Sequence, residues 1–396
     1  MKAVGIVVEY NPLHNGHLYH IQKAKELSGA DVVIAVMSGN FLQRGEMAIV
    51  DKWARAQMAL TAGVDIVVEL PIVFATQKAD TFASAAVSLL QEMQCTSIAF
   101  GSEHGDSASF IYAAKAIENN RSSFEEVVKR LVKEGKSYAA ATGIALQTVS
   151  DIEFGLPNNI LGFQYVLSIV KNKWPITPIT FMRKGTGYYD LHADEESDIA
   201  SATGIRQSIF TDGKLLEECT PGFVQAEIEY YQRKAGCLHS WDTYWPILQY
   251  KILSSSAEQL QRIYTVNEGI ENRLLQAAES ATSFTEFMES VKTKRYTWTR
   301  LQRICCYILL SLETSSMAGY TKPNYLRLLG MSTAGQQYLR QYKKSFSLPI
   351  VTKLSDYKEK EYLENIRLSK IYYQVLQYDK REKMLQQEYT APIFRR

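Results

Sequence analysis

Ala3-Val4-Gly5-Ile6-Val7-Val8-Glu9-Tyr10-Asn11-Pro12-Leu13-His14-Asn15-Gly16-His17 is the stretch in which both the fold and the chemistry of this chain are legible. The run from Ala3 to Glu9 is short, apolar and rich in β-branched residues, without polar alternation. That texture predicts a strand buried on both faces. Asn11-Pro12 breaks it, and a helical rhythm follows over 17–27. Two imidazoles three residues apart therefore sit at the turn from a strand into a helix. A helix start offers free N–H groups and the positive end of a dipole, both of which favour an anion. His14 and His17 can donate hydrogen bonds to a phosphate oxygen as charge builds on it. Gly16 removes a side chain where a base or ribose needs close approach.

The same texture recurs downstream. Strands are expected at 31–37, 64–71 and 97–102, alternating with helices near 52–62 and 83–93, and each strand ends in or at Gly, Pro, Asn or Ser. This alternation predicts an α/β fold, a doubly wound parallel sheet covered on both faces, whose ligands sit outside the carboxyl ends of the strands. A helical insertion is expected at about 107–150. The α/β pattern returns at 159–170, 176–183 and 201–209. Beyond Pro221-Gly222 strand runs nearly vanish, and Leu, Ile, Tyr, Gln and Glu recur at helical spacing over 270–278, 301–312 and 362–378. A catalytic domain at 1–212 followed by a C-terminal helical domain at 213–396 is the expectation.

The net charge of +2 conceals a division. Residues 290–396 carry 20 Lys+Arg against 8 Asp+Glu, a local +12, which leaves −10 for the remainder. Of 24 tyrosines, 17 lie from Tyr230 onward. A basic, tyrosine-rich end on an acidic body suggests contact with a polyanion. Lys292, Lys294, Arg295 and Arg300 interleave with Tyr296 and Trp298, and Lys343 and Lys344 follow. Cations track a phosphate backbone while aromatic faces stack on unpaired bases, as in the reading of single-stranded RNA loops. Five cysteines, with Cys305 and Cys306 adjacent, form no disulfide framework. Neither a signal peptide nor a membrane span is expected, which makes cytoplasm the simplest compartment.

Other positions suit a nucleotide. Gly101 closes the fourth strand. Asn159 either reads the nucleotide or caps the helix that follows, with Asn158 as the alternative in register. Arg183 and Lys184 offer two cations after a strand. Ser201 or Thr203 can cap a helix from which Arg206 points at phosphate. His14, His17 and His20 fit a metal triad poorly, because i, i+3, i+6 spacing turns the third ring away and no cysteine adds a ligand.

The H-x-G-H of His14 to His17 resembles the nucleotidyltransferase superfamily, whose Rossmann-like domain this expectation matches. Ser38-Gly39-Asn40-Phe41-Leu42-Gln43-Arg44-Gly45-Glu46, Asp51-Lys52-Trp53, Glu69-Leu70-Pro71, Phe100-Gly101-Ser102-Glu103, Pro157-Asn158-Asn159-Ile160-Leu161-Gly162 and Ser201-Ala202-Thr203-Gly204-Ile205-Arg206 together are similar to the bacterial tRNA(Met) cytidine acetate ligase family. The likeness extends more weakly through Arg300-Leu301-Gln302-Arg303 and Leu328-Leu329-Gly330-Met331-Ser332. It implies activation of acetate by ATP as acetyl-adenylate, then acetyl transfer to N4 of the wobble cytidine of elongator tRNA(Met). His14 and His17 would be catalytic. Val7, Val8, Glu9, Tyr10, Asn11, Pro12, Leu13, His14, Asn15, Gly16, His17, Leu18, Tyr19, His20 and Gly101 would hold ATP, with Mg²⁺ carried on its phosphates. Gly330-Met331-Ser332-Thr333 lacks the lysines of the synthetase K-M-S-K-S loop, which sets that branch aside. Two other readings stay open: a small-molecule nucleotidyltransferase making a dinucleotide-type cofactor, and a non-catalytic nucleotide sensor that binds RNA.

Overall fold

A computed structural model describes residues 1–136, 138–148, 152, 156–183, 200–212, 214–353 and 357–395. The first half runs β1 (Ala3–Val8), α1 (Asn15–Ser28), β2 (Val32–Ser38), α2 (Lys52–Thr61), β3 (Ile66–Leu70), α3 (Ile72–Ala75), α4 (Ala79–Glu92), β4 (Ser97–Ser102), α5 (Ser107–Asn119), α6 (Arg121–Lys133), α7 (Tyr138–Gln147), α8 (Pro157–Asn172), β5 (Thr177–Met182) and α9 (Ala202–Ile209). The second half opens with α10 (Lys214–Cys219), α11 (Gly222–Ala235), α12 (Trp241–Leu253), α13 (Ala257–Arg262), α14 (Ile270–Ser280), α15 (Phe284–Val291), α16 (Trp298–Leu310) and α17 (Thr314–Met317). It closes with β6 (Leu326–Ser332), α18 (Thr333–Tyr342), β7 (Ile350–Val351), α19 (Lys360–Tyr372), α20 (Tyr378–Leu385) and β8 (Ile393–Arg395).

The strands form one sheet in the order β5-β4-β1-β2-β3-β6-β7, with β8 alongside β6. β5 through β3 are mutually parallel. All seven residues of β2 and all five of β3 are buried, which is why neither shows polar alternation. The chain winds one way from β1 to β3 and the other way from β4 to β5. The switch point lies between β1 and β4, and its carboxyl end is where a ligand crevice opens. The expected helical insertion is present as α5, α6 and α7.

The strand-poor reading of the C-terminal half needs correction. Leu326–Ser332, whose last five residues were quoted above from the end expected to be helical, is β6. It pairs antiparallel with β3, matching Ile66 to Met331 and Glu69 to Arg327. A run of Leu and Met without alternation suits either element, and only the β3 edge makes it a strand. One apolar core runs from Ala3 through Met384. A buried ion cluster joins the halves: Lys52 Nζ lies 3.0 Å from Glu69 and 2.9 Å from Glu388, all three side chains at 0–1% exposure. The expected boundary near 212 therefore does not coincide with an edge of the sheet. Among the described residues no helix is long and apolar enough to cross a membrane.

Candidate active site

His14 is the N-cap of α1, in extended backbone (φ −141°, ψ 174°). Its Nδ1 accepts from the Gly16 N–H at 3.1 Å, while Nδ1 of His17 accepts from the His14 N–H at 3.2 Å. The two imidazoles thus form a reciprocal capping box, the role usually taken by a hydroxyl and a carboxylate. A neutral imidazole has one donor and one acceptor nitrogen. With both Nδ1 atoms accepting, both protons sit on Nε2, which becomes the group each ring offers a ligand. The ring centroids are 3.8 Å apart. Burial, reinforced by Arg183 and Arg206, pushes His14 down to about 3. Burial and neighbouring rings hold His17 well below its ordinary range. Burial takes His20 down to about 4, and its Nε2 donates to the Ala99 carbonyl at 3.0 Å. The rings are neutral donors at pH 7.

Positive charge comes from arginines. Arg206 on α9 donates to the Asn11 carbonyl (2.8 Å) and pairs with Glu46 (3.0 Å). Ser201 caps α9 by accepting from the Gly204 N–H, and Thr203 Oγ1 lies 3.4 Å from Arg206. Arg183, just past β5, donates to Asn158 Oδ1 at 3.1 Å. A Cβ on Gly101 would come within 3.0 Å of Arg183 Cγ, so the end of β4 abuts that cation.

These groups border one cavity of about 220 Å³ at the switch point. Val7, Val8, Glu9, Tyr10, Asn11, His14, His17, His20, Gly101, Arg183, Ser201, Thr203 and Arg206 all line it. Pro12 and Leu13 are buried in the turn, and Asn15, Gly16, Leu18 and Tyr19 lie on α1 off the cavity wall. Lys184 lies outside the described residues. Asn159 neither caps α8 nor lines the cavity: Leu156 is the N-cap. Asn159 Oδ1 instead accepts the Glu103 and His104 N–H groups at 3.0 and 3.1 Å. Its neighbour Asn158 is on the wall.

The model of the HIGH nucleotidyl transferase family matches residues 1–388. The chain belongs to that family. Curated relatives include the tRNA(Met) cytidine acetate ligases of Geobacillus sp. (strain WCH70) and Bacillus subtilis (strain 168). The first is 45% identical over 99% of both chains, and the second 44% identical over 99% of this chain and 97% of its own. Among solved structures, Thermotoga maritima TmcAL in its apo form matches with a TM-score of 0.91, at 30% identity over 100% of this chain and 99% of that one. The same protein bound with alpha-thio ATP gives 0.90 at the same identity and coverage.

In this HIGH nucleotidyltransferase the cavity has a further wall to which sequence reading assigned no role: Gln43, Arg44 and Glu46 from the loop after β2, with Phe82, Phe100, Leu161 and Tyr165. The signal was present in the Gln43-Arg44-Gly45-Glu46 motif, but nothing in its spacing says which way the loop folds. The Gln43 N–H (2.8 Å) and Ser38 Oγ (3.2 Å) both donate to Glu9 Oε1. Burial raises the Glu9 carboxyl above its ordinary value. Gly45, at φ +77°, lies so close to α16 that a Cβ would sit 2.3 Å from Arg303 N. Trp241 Nε1 also donates to the Gly45 carbonyl at 3.0 Å.

The basic residues fall into two groups. Lys292, Lys294, Arg295 and Arg300 precede or begin α16, on the side of the loop carrying Gln43 and Gly45. Arg295 pairs with Glu268 (2.9 Å) and Arg300 donates to Asn267 (3.2 Å). Lys292 and Lys294 are exposed, with no carboxylate partner among the described residues. Tyr296, expected to offer a stacking face, is 4% exposed and covered by Arg300 at 4.1 Å from its centroid. Lys343 and Lys344 follow Tyr342, whose hydroxyl donates to the Met1 carbonyl. They therefore sit at the amino ends of the strands, opposite the cavity.

Proposed function

We propose that this chain is an ATP-dependent ligase that activates acetate as acetyl-adenylate and acetylates N4 of the wobble cytidine of elongator tRNA(Met). The observation that carries the reading is the locked pair of Nε2–H donors at the α1 N-terminus, on the switch point of the sheet. The full-length likeness to tRNA(Met) cytidine acetate ligases supports the same substrates. Acetate is ionised at pH 7, so its attack on the α-phosphorus needs no general base, only positioning and charge stabilisation. His14 and His17 donate to the α-phosphoryl oxygens as charge builds there, and the guanidinium groups of Arg183 and Arg206 attract the triphosphate. Mg²⁺ enters with ATP as part of the substrate. The described residues hold no group of three His, Cys, Asp or Glu side chains suited to an ion, and Glu46, one of the cavity's carboxylates, is taken up by Arg206.

Among the described residues the cavity is lined by positions up to 206, which supports 1–212 as the catalytic unit in function, with 213–396 supplying the basic surface for tRNA. Lys292, Lys294, Arg295 and Arg300, which precede or begin the helix that packs on the loop of Gln43 and Gly45, are assigned to the anticodon region, and Lys343 and Lys344 to a more distant part of the RNA. The buried thiols of Cys95, Cys305 and Cys306, which form no disulfide among the described residues, support a cytoplasmic setting. Incubation with ATP, labelled acetate and tRNA tests the proposal: label is expected in the RNA as acetylcytidine. Pyrophosphate release with a phosphorylated metabolite and indifference to tRNA would favour the small-molecule transferase instead. Nucleotide binding with no turnover would favour the sensor.

A further inference from the structure

The second half of the reaction needs a proton acceptor, because the cytidine amine is conjugated with its ring and becomes acidic only as the new bond forms. We infer that Glu9 is the general base that takes the N4 proton during acetyl transfer, an inference that rests on the ligase reading above.

Among the described residues two carboxylates border the cavity, Glu9 and Glu46. Glu46 is held by the guanidinium of Arg206 at 3.0 Å. Among the described residues Glu9 accepts only from neutral donors, and both of them, Ser38 Oγ and the Gln43 N–H, go to Oε1. Arg55, the cation behind it, spends its guanidinium on main-chain carbonyls of Glu9, Ser38, Gly39 and Val50. Among the described residues Oε2 takes no hydrogen bond and keeps its lone pairs for a ligand. The other candidates are poorer. His14 and His17 have committed Nδ1 to the backbone, and their Nε2 already carries the proton. His20, held near 4, is a weaker base than a carboxylate raised by burial. Burial pushes the Tyr10 and Tyr165 phenols up, so both stay protonated.

The step balances as follows. The N4 lone pair forms a bond to the carbonyl carbon of acetyl-adenylate, and the bond from that carbon to the phosphate oxygen breaks. AMP leaves with the electron pair, while the N4 proton passes to Glu9 Oε2 and then to water. The charged groups facing Glu9 are Glu46 from the loop after β2 and Arg55 from α2, with the neutral phenol of Tyr165 from α8 as a further titratable neighbour. Burial is the dominant influence and sets the carboxyl above its usual range, closer to working pH, where a general base is most effective.

Glu9→Gln separates this role from a purely structural one, because glutamine Oε1 can still accept from Gln43 and Ser38. Two rates are measured on the full chain. One is acetate-dependent exchange of labelled pyrophosphate into ATP; the other is single-turnover transfer from synthetic acetyl-adenylate to tRNA. The variant is expected to lose about 100-fold more in transfer than in exchange. Wild-type transfer should fall as pH drops through the raised Glu9 value, with that limb absent in the variant. Equal losses in both rates, or no loss in transfer, would overturn the assignment. If the variant fails to fold, the wild-type profile decides: transfer that stays flat from neutral pH down to the ordinary carboxylate range removes Glu9 as the base. Wild-type protein that never labels tRNA would instead sink the ligase reading, which keeps the two failures distinct.

Discussion

His14 and His17 each spend one ring nitrogen on a backbone N–H at the start of α1, so the same bonds that close the helix also orient the Nε2–H donors that the proposed reaction uses. Replacing either with alanine should therefore do two things. Loss of a transition-state donor should slow pyrophosphate exchange by about 100-fold or more. For His14, loss of the cap should cost about 1 kcal/mol of stability, measurable by urea unfolding. Buried neutral histidines also set an acid limit. His14 and His239, both pushed down to about 3 from an ordinary 6.5, bind protons more readily in the unfolded chain. Their contribution to stability is complete above pH 6.5 and is lost as pH falls toward 3. Each should remove about 1.4 kcal/mol per pH unit in that window, read as a falling midpoint in thermal melts at stepped pH. The imidazole pair and its place at the turn from a strand into a helix were legible in sequence. The consumption of both Nδ1 atoms was not, because it depends on the extended backbone at His14. Nor was the choice of Asn158 over Asn159, which turns on α8 beginning at Pro157.

At the scale of elements, the loop between β2 and α2 connects the nucleotide site to the basic end. Gln43 offers its N–H to Glu9, while its carbonyl lies 3.5 Å from Arg303 Nη1 on α16. Two residues on, Gly45 packs against the α16 backbone in a conformation that L side chains resist. Gly45→Ala adds both left-handed strain and a clash with main-chain atoms, which give less readily than the tip of a side chain. The expected cost is about 2 kcal/mol or more, with tRNA acetylation falling further than pyrophosphate exchange because α16 is displaced from the loop. Equal loss in the two assays would show that the loop serves only stability. Sequence periodicity is silent about such a segment, since an irregular loop has no period. It was equally misleading at β6, where Leu326–Ser332 becomes a strand only through its pairing with β3.

For the molecule as a whole, the charge division and the fold division differ. The acidic body and basic end are real as compositions, yet they share one sheet and one core. Removing everything after residue 212 would strip β6 from the β3 edge and take Glu388 from Lys52, leaving that buried cation with only Glu69. The fragment is expected to show no cooperative thermal transition by circular dichroism. A fragment that melts cooperatively and still makes acetyl-adenylate would refute this. Composition and periodicity made the parallel sheet readable because each of its strands is a local apolar run. They could not reveal its completion by a strand from the far end of the chain, since long-range pairing leaves no local mark.

That late strand also has a consequence for how the protein is made. A ribosome delivers β1 to β3 early, but the partner for the β3 edge emerges only after roughly 255 further residues. At synthesis rates of roughly 5–20 residues per second, the interval is on the order of ten to fifty seconds. Throughout it the nascent chain presents a buried-type strand with unpaired N–H and carbonyl groups, the kind of edge that recruits other chains. The sheet is begun with β1 and completed only with β6 and β8, so the growing polypeptide must be kept from its neighbours until those strands arrive.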